Sequence, residues 1–217
     1  MAHRKLVLST NNKHKVEEIK NILKDFPIEV LSKKDVGMAD FDVEEDGDTL
    51  EKNSIKKAKA LAEKVDYMVM ADDSGLFVDA LDEAPGVYSS RYAGEEGNDE
   101  KNNIKLLKEL KGVSLENRSA SFFSVIAIVT EEKEVFTVKG QCKGHIIFEP
   151  KGDNGFGYDP LFVPLGYDKT FAELGNDIKN NISHRARALE GIQDLLSKLI
   201  KGEQYENSGN QRYTWYE

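Results

Sequence analysis

The ten residues 69–78, VMADDSGLFV, constrain the fold more than any other stretch of this chain. An apolar run that leads into acidic residues is typical of a strand that delivers ligands to the edge of a sheet. Because side chains alternate across a strand, Asp72 and Asp73 should point to opposite sides, so at most one of them faces a given site. Gly75 permits a tight turn or the close approach of a ligand. Taken by itself, the stretch is most simply interpreted as a polar turn between two strands.

Strand and helix patterns alternate over the first part of the chain. The apolar run Lys5–Ser9 predicts a buried strand, and the polar residues 10–12 after it can cap a helix over Lys13–Lys24. A second strand is predicted at Ile28–Leu31. The mostly acidic segment Asp35–Asp48 then has the pattern of a loop.

A second helix is predicted after this loop. Its cap is Asp48 or Thr49, and Glu51 stands at the capping-box distance from Asp48. The predicted inner face consists of Ile55, Ala58, Leu61 and Ala62. The predicted solvent face consists of Lys56, Lys57 and Lys59.

The middle of the chain has the pattern of antiparallel hairpins. The longest apolar run, Ala120–Val129, is rich in β-branched and aromatic residues and predicts a core strand. Val135–Val138 is its predicted neighbour, joined through the charged turn Glu131–Lys133. Early alternation followed by hairpins predicts an α/β fold with a mixed central β-sheet flanked by helices.

Two further helices are predicted. One is capped by Asn98 or Asp99 and runs to about residue 110. Its predicted apolar face consists of Ile104, Leu107 and Leu110. The last helix covers residues 183–201.

The composition argues against several classes of protein. The chain has 217 residues and a formal charge of −9, which argues against a protein that coats nucleic acid. No apolar run approaches the ~20 residues that a membrane helix needs, and the first apolar run is too short for a signal-peptide core. Cys142 is the only cysteine, so no internal disulfide is possible. We therefore expect a cytoplasmic protein with one large domain or two lobes over residues 1–201 and a polar tail over residues 202–217.

Cations occur at two predicted helix starts, where positive charge opposes the helix dipole. Lys13 and Lys15 lie in the first turn of the first helix, and His184 and Arg185 open the last one, with Lys179 just before them. One such cluster is ordinary surface charge, but two in one chain suggest a shared anion. The backbone N–H groups at the start of the first helix suit phosphate.

Acidic residues and a glycine-rich loop complete the set of candidate binding residues. A divalent cation would account for the seven carboxylates of segment 35–48, although a solvated loop is the alternative interpretation. In residues 151–160, KGDNGFGYDP, glycines frame Phe156, so that its ring can face a flat ligand, whereas a hairpin loop with a packed aromatic is the alternative. Together with the cationic helix starts, these features describe a site for a metal-bound nucleoside polyphosphate. No Ser–His–Asp order or reactive cysteine supports covalent catalysis.

Five motifs then occur in one order. They are STNNKHK at 9–15, ADDSGL at 71–76, APGVYSSRY at 84–92, GFGYDP at 155–160 and ISHR at 182–185. In this order they resemble the inosine triphosphate pyrophosphatase family, the Ham1-like enzymes, over about Lys5 to Leu199. The first motif has Asn11 where the family commonly has glycine, and asparagine tolerates a positive φ better than most residues.

The resemblance implies a two-lobed fold around a nucleotide-binding cleft. It also implies Mg²⁺-dependent hydrolysis of ITP, dITP and XTP to the monophosphate and pyrophosphate, by a homodimer. Asp73 is then the proton acceptor and a metal ligand, with Glu44 or Glu45 as a further ligand. The residues implied to contact substrate are Thr10, Asn11, Asn12, Lys13, His14 and Lys15 for the triphosphate, Ser74 beside it, Phe156, Gly157, Tyr158 and Asp159 around the base, and Lys179, His184 and Arg185.

Two other functions stay open at this point. A Maf-type pyrophosphatase would share the fold but prefer pyrimidine or modified nucleotides, and a nucleotide sensor would bind without turnover. Discrimination of ITP from ATP is expected at the purine 6-position, with Arg185 and Asp159 as candidate contacts. A buried group that pairs with a 6-oxo oxygen would be left unpaired by the 6-amino group of ATP, at a cost of roughly 1–3 kcal/mol.

Overall fold

A computed structural model describes residues 4–201 and 215–216. Its strands and helices are, in chain order, β1 (Arg4–Leu8), α1 (Lys13–Ile22), β2 (Ile28–Ser32), α2 (Leu50–Ala62), β3 (Met68–Val78), α3 (Asp99–Glu109), β4 (Ser119–Val129), β5 (Val135–Ile146), β6 (Phe162–Pro164), α4 (Phe171–Ile182), α5 (His184–Lys201) and β7 (Trp215–Tyr216). The predicted tail at 202–217 therefore lies outside the described residues except for β7, which pairs with β5.

The sheet of the described residues combines parallel and antiparallel pairs. Its strand order is β2-β1-β3-β4-β5-β6. Strand β1 is parallel to both β2 and β3, whereas β5 and β6 are antiparallel. Only residues 130–134 connect β4 to β5, and so short a connection cannot make a parallel crossover. The predicted α/β fold with a mixed sheet and flanking helices is confirmed.

The chain divides into two compact units. The first contains the residues up to Asp73, residues 124–140 and the residues from Arg185 on. The second contains residues 74–123 and 141–184. The boundaries fall within β3, β4 and β5, so these three strands contribute residues to both units.

Alternation along the strands gives the first unit two apolar layers. Even-numbered residues such as Met70 and Ile126 pack in one cluster with α1 and α5, and odd-numbered residues such as Val69 pack in another with α2. This parity continues past the apolar residues of β3. It assigns Asp72 to the side of α1 and α5, and Asp73 to the side of α2.

The second unit has an apolar core of its own. Leu76 from β3, Leu106 from α3, Phe162 from β6 and Phe171 from α4 are all buried in it, together with Tyr158 from the preceding loop. This core holds α3 and the loop before β6 in one packed body.

The interpretation of residues 72–75 as a turn is wrong, because β3 continues through them without a break. Leu76 and Val78 belong to the core of the second unit, and their burial favours an extended chain. The Leu76 N–H donates to the Ser89 hydroxyl at 2.9 Å. Gly75 is needed because a Cβ at this position would collide with the carbonyl oxygen of Gly86. The close approach expected at Gly75 is thus made by the protein's own backbone.

One prediction about a helix cap is resolved and one about a helix face is corrected. Of the two predicted caps of α2, Thr49 is the one observed, and its hydroxyl accepts the Lys52 N–H at 3.1 Å. In α3 the predicted apolar residue Ile104 is 59% exposed, whereas Leu106 is fully buried. The buried face of α3 therefore follows Asn102, Leu106 and Leu110, four residues apart.

Helix α4 was not predicted. Thr170 and Glu173 form a capping box at its start, and Gly175 interrupts it with φ 76°. Because of the break at Gly175, the apolar repeat on either side is too short to predict a helix. Lys179 was predicted to lie just before the last helix, outside any helix. It lies in the last turn of α4, where a cation is favoured by the helix dipole.

Candidate active site

Asp72 is the centre of a buried ionic cluster in the first unit. Its carboxylate is 1% exposed and accepts hydrogen bonds from Arg185 Nε and Nη2, at 3.2 and 2.9 Å. Lys15 Nζ lies 3.0 Å from Asp72 Oδ2, and the Ser124 hydroxyl donates to Oδ1. Arg185, itself fully buried, also donates to Glu18. Asp72 is therefore saturated with donors.

Asp73 faces different partners, as the alternation of β3 requires. Lys57 Nζ from α2 lies 3.1 Å from Asp73 Oδ1 and 3.0 Å from Glu45 Oε1, and it also donates to the Asp72 carbonyl at 3.1 Å. The other oxygen of Asp73, Oδ2, is buried and accepts no hydrogen bond from the residues that the structure describes. The expectation that Asp72 and Asp73 point to opposite sides is confirmed.

The pKa values of the two adjacent aspartates are shifted in opposite directions. Burial raises the pKa of Asp73 to about 6 against the attraction of Lys57 and Lys15, and repulsion and hydrogen bonding with Glu45 raise it further. Burial would also raise the pKa of Asp72, but the Arg185 and Lys15 charges outweigh it and hold that pKa well below its usual range. A base must accept a proton near the operating pH, so Asp73 is the one suited to acid–base chemistry.

Lys57 is the important side chain that sequence reasoning placed wrongly. It was predicted on the solvent face of α2, but it is 8% exposed and points into the acidic cluster. The helical spacing indicates that Lys57 lies on the buried face of α2, since it follows buried Ser54 by three residues and precedes buried Leu61 by four. Glu18 and Ser124 were also not predicted as members of this cluster. Each occurs beside the apolar residues of its helix or strand, and that apolar pattern does not indicate a buried polar partner.

The donor set around Asp73 fits Mg²⁺. Of the two candidate glutamates, Glu45 interacts with Lys57 and Asp73, whereas Glu44 is exposed. Among residues 4–201, no group of three or more His, Cys, Asp or Glu side chains could hold a metal ion by itself. Mg²⁺ is commonly held by one or two carboxylates plus waters and substrate phosphates, so the carboxylates of Glu45 and Asp73 would be enough protein ligands. The metal itself stays a prediction.

The predicted phosphate segment forms the turn into α1. Asn12 caps the helix, with its Oδ1 accepting the Lys15 N–H at 3.1 Å, and the Asn12 N–H donates to Thr10 Oγ1 at 3.1 Å. Asn11, Asn12, Lys13 and His14 are exposed, and Thr10 is half-buried. Lys15 turns inward to Asp72, so of the two predicted lysines only Lys13 presents an exposed side chain.

The predicted base loop is tightly organised in the second unit. Asp159 is 2% exposed, and its Oδ2 accepts the Phe156 N–H at 2.9 Å and the Lys179 ammonium at 2.5 Å. Lys179 Nζ also lies 4.5 Å from the centre of the Phe156 ring. A Cβ on Gly155, whose φ is +80°, would collide with the Asp159 carboxylate. The glycine frame thus lets the chain wrap around Asp159.

Other predicted residues join this unit. The Tyr158 hydroxyl donates to the Ser89 carbonyl at 2.8 Å, which links the GFGYDP motif to the APGVYSSRY motif. The buried His184 ring stacks on Phe122 at 4.8 Å between ring centres. Ser74 is half-buried at the start of this unit.

Three of the predicted anion-binding cations have carboxylate partners within their own unit. Lys179 pairs with Asp159 in the second unit. In the first unit, Lys15 pairs with Asp72, and Arg185 pairs with Asp72 and Glu18. None of these three charges needs an external anion for its stability. The predicted contacts of Arg185 and Asp159 with the purine 6-position stay predictions.

The fold and these residues define an α/β protein with a mixed sheet, whose central strand carries two buried aspartates: Asp72, which is saturated with donors, and Asp73, one oxygen of which accepts no hydrogen bond from the described residues. None of the helices in the described part of the chain is long and apolar enough to cross a membrane. The chain belongs to the Ham1 family, whose sequence model matches residues 6–195.

Close relatives cover nearly the whole chain. A protein of Clostridium perfringens named dITP/XTP pyrophosphatase is 52% identical over 204 residues, which are 91% of this chain and 100% of that protein. The dITP/XTP pyrophosphatase of Bacillus subtilis is 47% identical over 88% of this chain and 96% of its own length. Among solved structures, the Staphylococcus aureus Ham1 protein is 41% identical with a TM-score of 0.79, covering 90% of this chain and all of its own.

Proposed function

We propose that the protein is a nucleoside triphosphate pyrophosphatase. It hydrolyses deaminated purine nucleoside triphosphates, namely ITP, dITP and XTP, to the monophosphate and pyrophosphate. Relatives that are about half identical over almost their full length are named dITP/XTP pyrophosphatases, which supports this substrate class over the pyrimidine or modified nucleotides of a Maf-type enzyme.

The observation that carries the proposal is the environment of Asp73. A buried carboxylate with a raised pKa and one unpaired oxygen is suited to remove a proton from water as the water attacks the α-phosphorus. A protein that only bound nucleotide would have no use for such a base. The Asp73 geometry therefore favours the enzyme over the sensor.

Several residues of the first unit would assist this step. Lys57 holds the Asp73 carboxylate in place and partly neutralises the acidic cluster. Glu45 and Asp73 would hold Mg²⁺, which when bound neutralises charge on the phosphate oxygens. The turn 10–14, exposed from Asn11 on, and the N–H groups at the start of α1 would bind the triphosphate, with Lys13 adding positive charge.

The base is proposed to contact the loop at residues 156–159. Phe156 offers a ring face, which attracts a flat purine by stacking. Because Asp159 and Lys179 are bonded to each other and to the backbone of the loop, they would fix the shape that the base meets. A rigid polar wall discriminates better than a mobile one, since a mismatched group cannot relax to find another partner.

A substrate panel tests the proposal. Pyrophosphate release is measured for ITP, dITP, XTP, ATP, GTP and dTTP, each with and without Mg²⁺. We expect turnover of the first three, one pyrophosphate for each monophosphate formed, and dependence on the metal. Preferential turnover of dTTP, or binding of ITP with no pyrophosphate released, would contradict it.

We also propose that the enzyme acts as a homodimer, which the family resemblance implies. The single cysteine supports a location in the reducing cytoplasm. Light scattering after size-exclusion chromatography should give a mass near twice the 24.4 kDa of the chain. A mass that stays at 24.4 kDa across micromolar concentrations would exclude the dimer.

A further inference from the structure

The backbone of Gly157 is held at both of its polar groups by one helix. Its N–H donates to Asp99 Oδ2 at 2.6 Å, and its carbonyl accepts a hydrogen bond from Asn103 Nδ2 at 2.9 Å. Asp99 and Asn103 lie four residues apart on α3, so both side chains project from the same side of the helix. We call these three residues the Gly157 clamp.

Two residues of the clamp, Gly157 and Asn103, have a feature that general stability does not require. Gly157 has φ +63°, a left-handed conformation that favours glycine, so the chain accepts an unusual backbone at the point where α3 grips it. Asn103 Oδ1 is buried and has no hydrogen-bond partner among the described residues. A buried unpaired acceptor is destabilising, so the asparagine is explained by what its other end donates to Gly157.

The clamp acts on the residues that flank Gly157. Phe156 and Tyr158 are its neighbours, and the Phe156 N–H is fixed by Asp159 while the Tyr158 hydroxyl is fixed by Ser89. Gly157 has no side chain with which to make a comparable contact. Without Asp99 and Asn103, the two peptide groups between the aromatic residues would keep only the weaker hydrogen bond that the Asp159 N–H donates to the Phe156 carbonyl, at 3.3 Å.

We infer that Asp99 and Asn103 are positioning residues for base recognition: by fixing both polar groups of Gly157, they hold the Phe156 ring in the orientation that the purine meets. This inference rests on the proposed function and extends it to residues on α3 that lie outside the five sequence motifs. Neither side chain is required to touch the substrate. Their effect should therefore appear in binding of the base and not in the chemical step.

Asp99→Ala and Asn103→Ala test the inference through steady-state kinetics. Each should raise KM for ITP about tenfold, the effect of one lost hydrogen bond, while kcat changes less than about twofold. Asp99→Asn should recover most of the loss, because an amide oxygen can still accept the Gly157 N–H. Glu100→Ala is the matched control, since it removes the same charge from the same turn of α3 without touching Gly157, and it should behave as wild type.

Product inhibition separates a local effect from general damage. The inhibition constant of IMP, which carries a base, should rise as KM does in Asp99→Ala. The inhibition constant of pyrophosphate, which carries none, should stay within about twofold of wild type. Equal rises for both products, or an equal rise of KM in Glu100→Ala, would overturn the inference.

Amide hydrogen exchange tests the clamp independently of activity. The Gly157 amide should exchange at least about tenfold faster in Asp99→Ala than in wild type or in Glu100→Ala. An unchanged exchange rate would overturn the inference even if ITP is a substrate. If the wild-type protein releases no pyrophosphate from ITP, the proposed function fails, whereas the exchange experiment still decides whether Asp99 holds Gly157.

Discussion

Replacement of Arg185 by methionine should lower the free energy of unfolding by more than the loss of a surface charge would. Arg185 is fully buried and neutralises both Asp72 and Glu18. Methionine fills much of the same volume with an unbranched apolar chain, so the loss reports mainly on the two carboxylates that lose the guanidinium and not on a cavity.

The size of the effect follows from the desolvation of these groups. Removal of one partner from a buried ion pair costs about 3–5 kcal/mol, out of a total stability of about 5–15 kcal/mol. For a chain of this length, 1 kcal/mol shifts the melting temperature by roughly 2–4 °C, so we expect Arg185→Met to melt roughly 6–20 °C below wild type. The charge of Asp72 should account for much of the loss. Adding Asp72→Asn to the Arg185→Met variant should therefore restore part of it.

Circular dichroism during thermal and urea unfolding measures this directly. Arg187→Met is the matched control, because Arg187 is the same residue type on the same helix but is only half-buried. It should cost less than about 1 kcal/mol. The account of Arg185 would be refuted if Arg185→Met cost as little as the control. It would equally fail if Asp72→Asn brought no recovery in the Arg185→Met background.

Three further predictions concern other parts of the chain. Lys57→Met should lower kcat for ITP by about 10²-fold or more, because the Asp73 carboxylate loses its cation, whereas Lys59→Met on the same helix should not. Glu45→Gln should raise the Mg²⁺ concentration required for half-maximal activity at least about tenfold, and Glu44→Gln should leave it unchanged. Glu83→Gly should stabilise the protein by about 0.5–1 kcal/mol in urea unfolding, because the exposed Glu83 has φ 67°, a backbone conformation that is strained for a residue with a Cβ. The greater freedom of glycine in the unfolded chain offsets part of this gain. A loss of stability in Glu83→Gly would show that its side chain has a role of its own.

The regular elements were predictable from sequence where apolar spacing is strict. Helix α2 repeats buried residues at three- and four-residue intervals, and β4 is a long, mostly apolar run. The opposite orientation of Asp72 and Asp73 also follows from strand alternation alone. These features depend on local periodicity, which a single sequence displays.

The errors arose where tertiary contacts override a local pattern. Residues 72–75 have turn chemistry, but burial of Leu76 in the second core keeps the chain in an extended strand. Lys57 was assigned to the solvent face because it is a lysine, although its position in the helical repeat is a buried one. Only the carboxylates that approach it from distant segments explain why a cation lies there.

The candidate site was foreseen in its residue types more than in its pairings. Asp73 was predicted to be the proton acceptor from the family resemblance, and that role stays a prediction; its burial, and an oxygen that accepts no hydrogen bond from the described residues, suit it. Arg185 and Lys179 were chosen as anion-binding cations, yet each is bonded to an internal carboxylate. Long-range pairs of this kind leave no periodic trace in a sequence.

The rate of pyrophosphate release from ITP by Asp73→Asn tests the central claim most directly. An asparagine keeps the size of the side chain but cannot accept the proton, so kcat should fall about 10²–10⁴-fold relative to wild type in saturating Mg²⁺. Wild-type turnover by Asp73→Asn would contradict the assignment of Asp73 as the base.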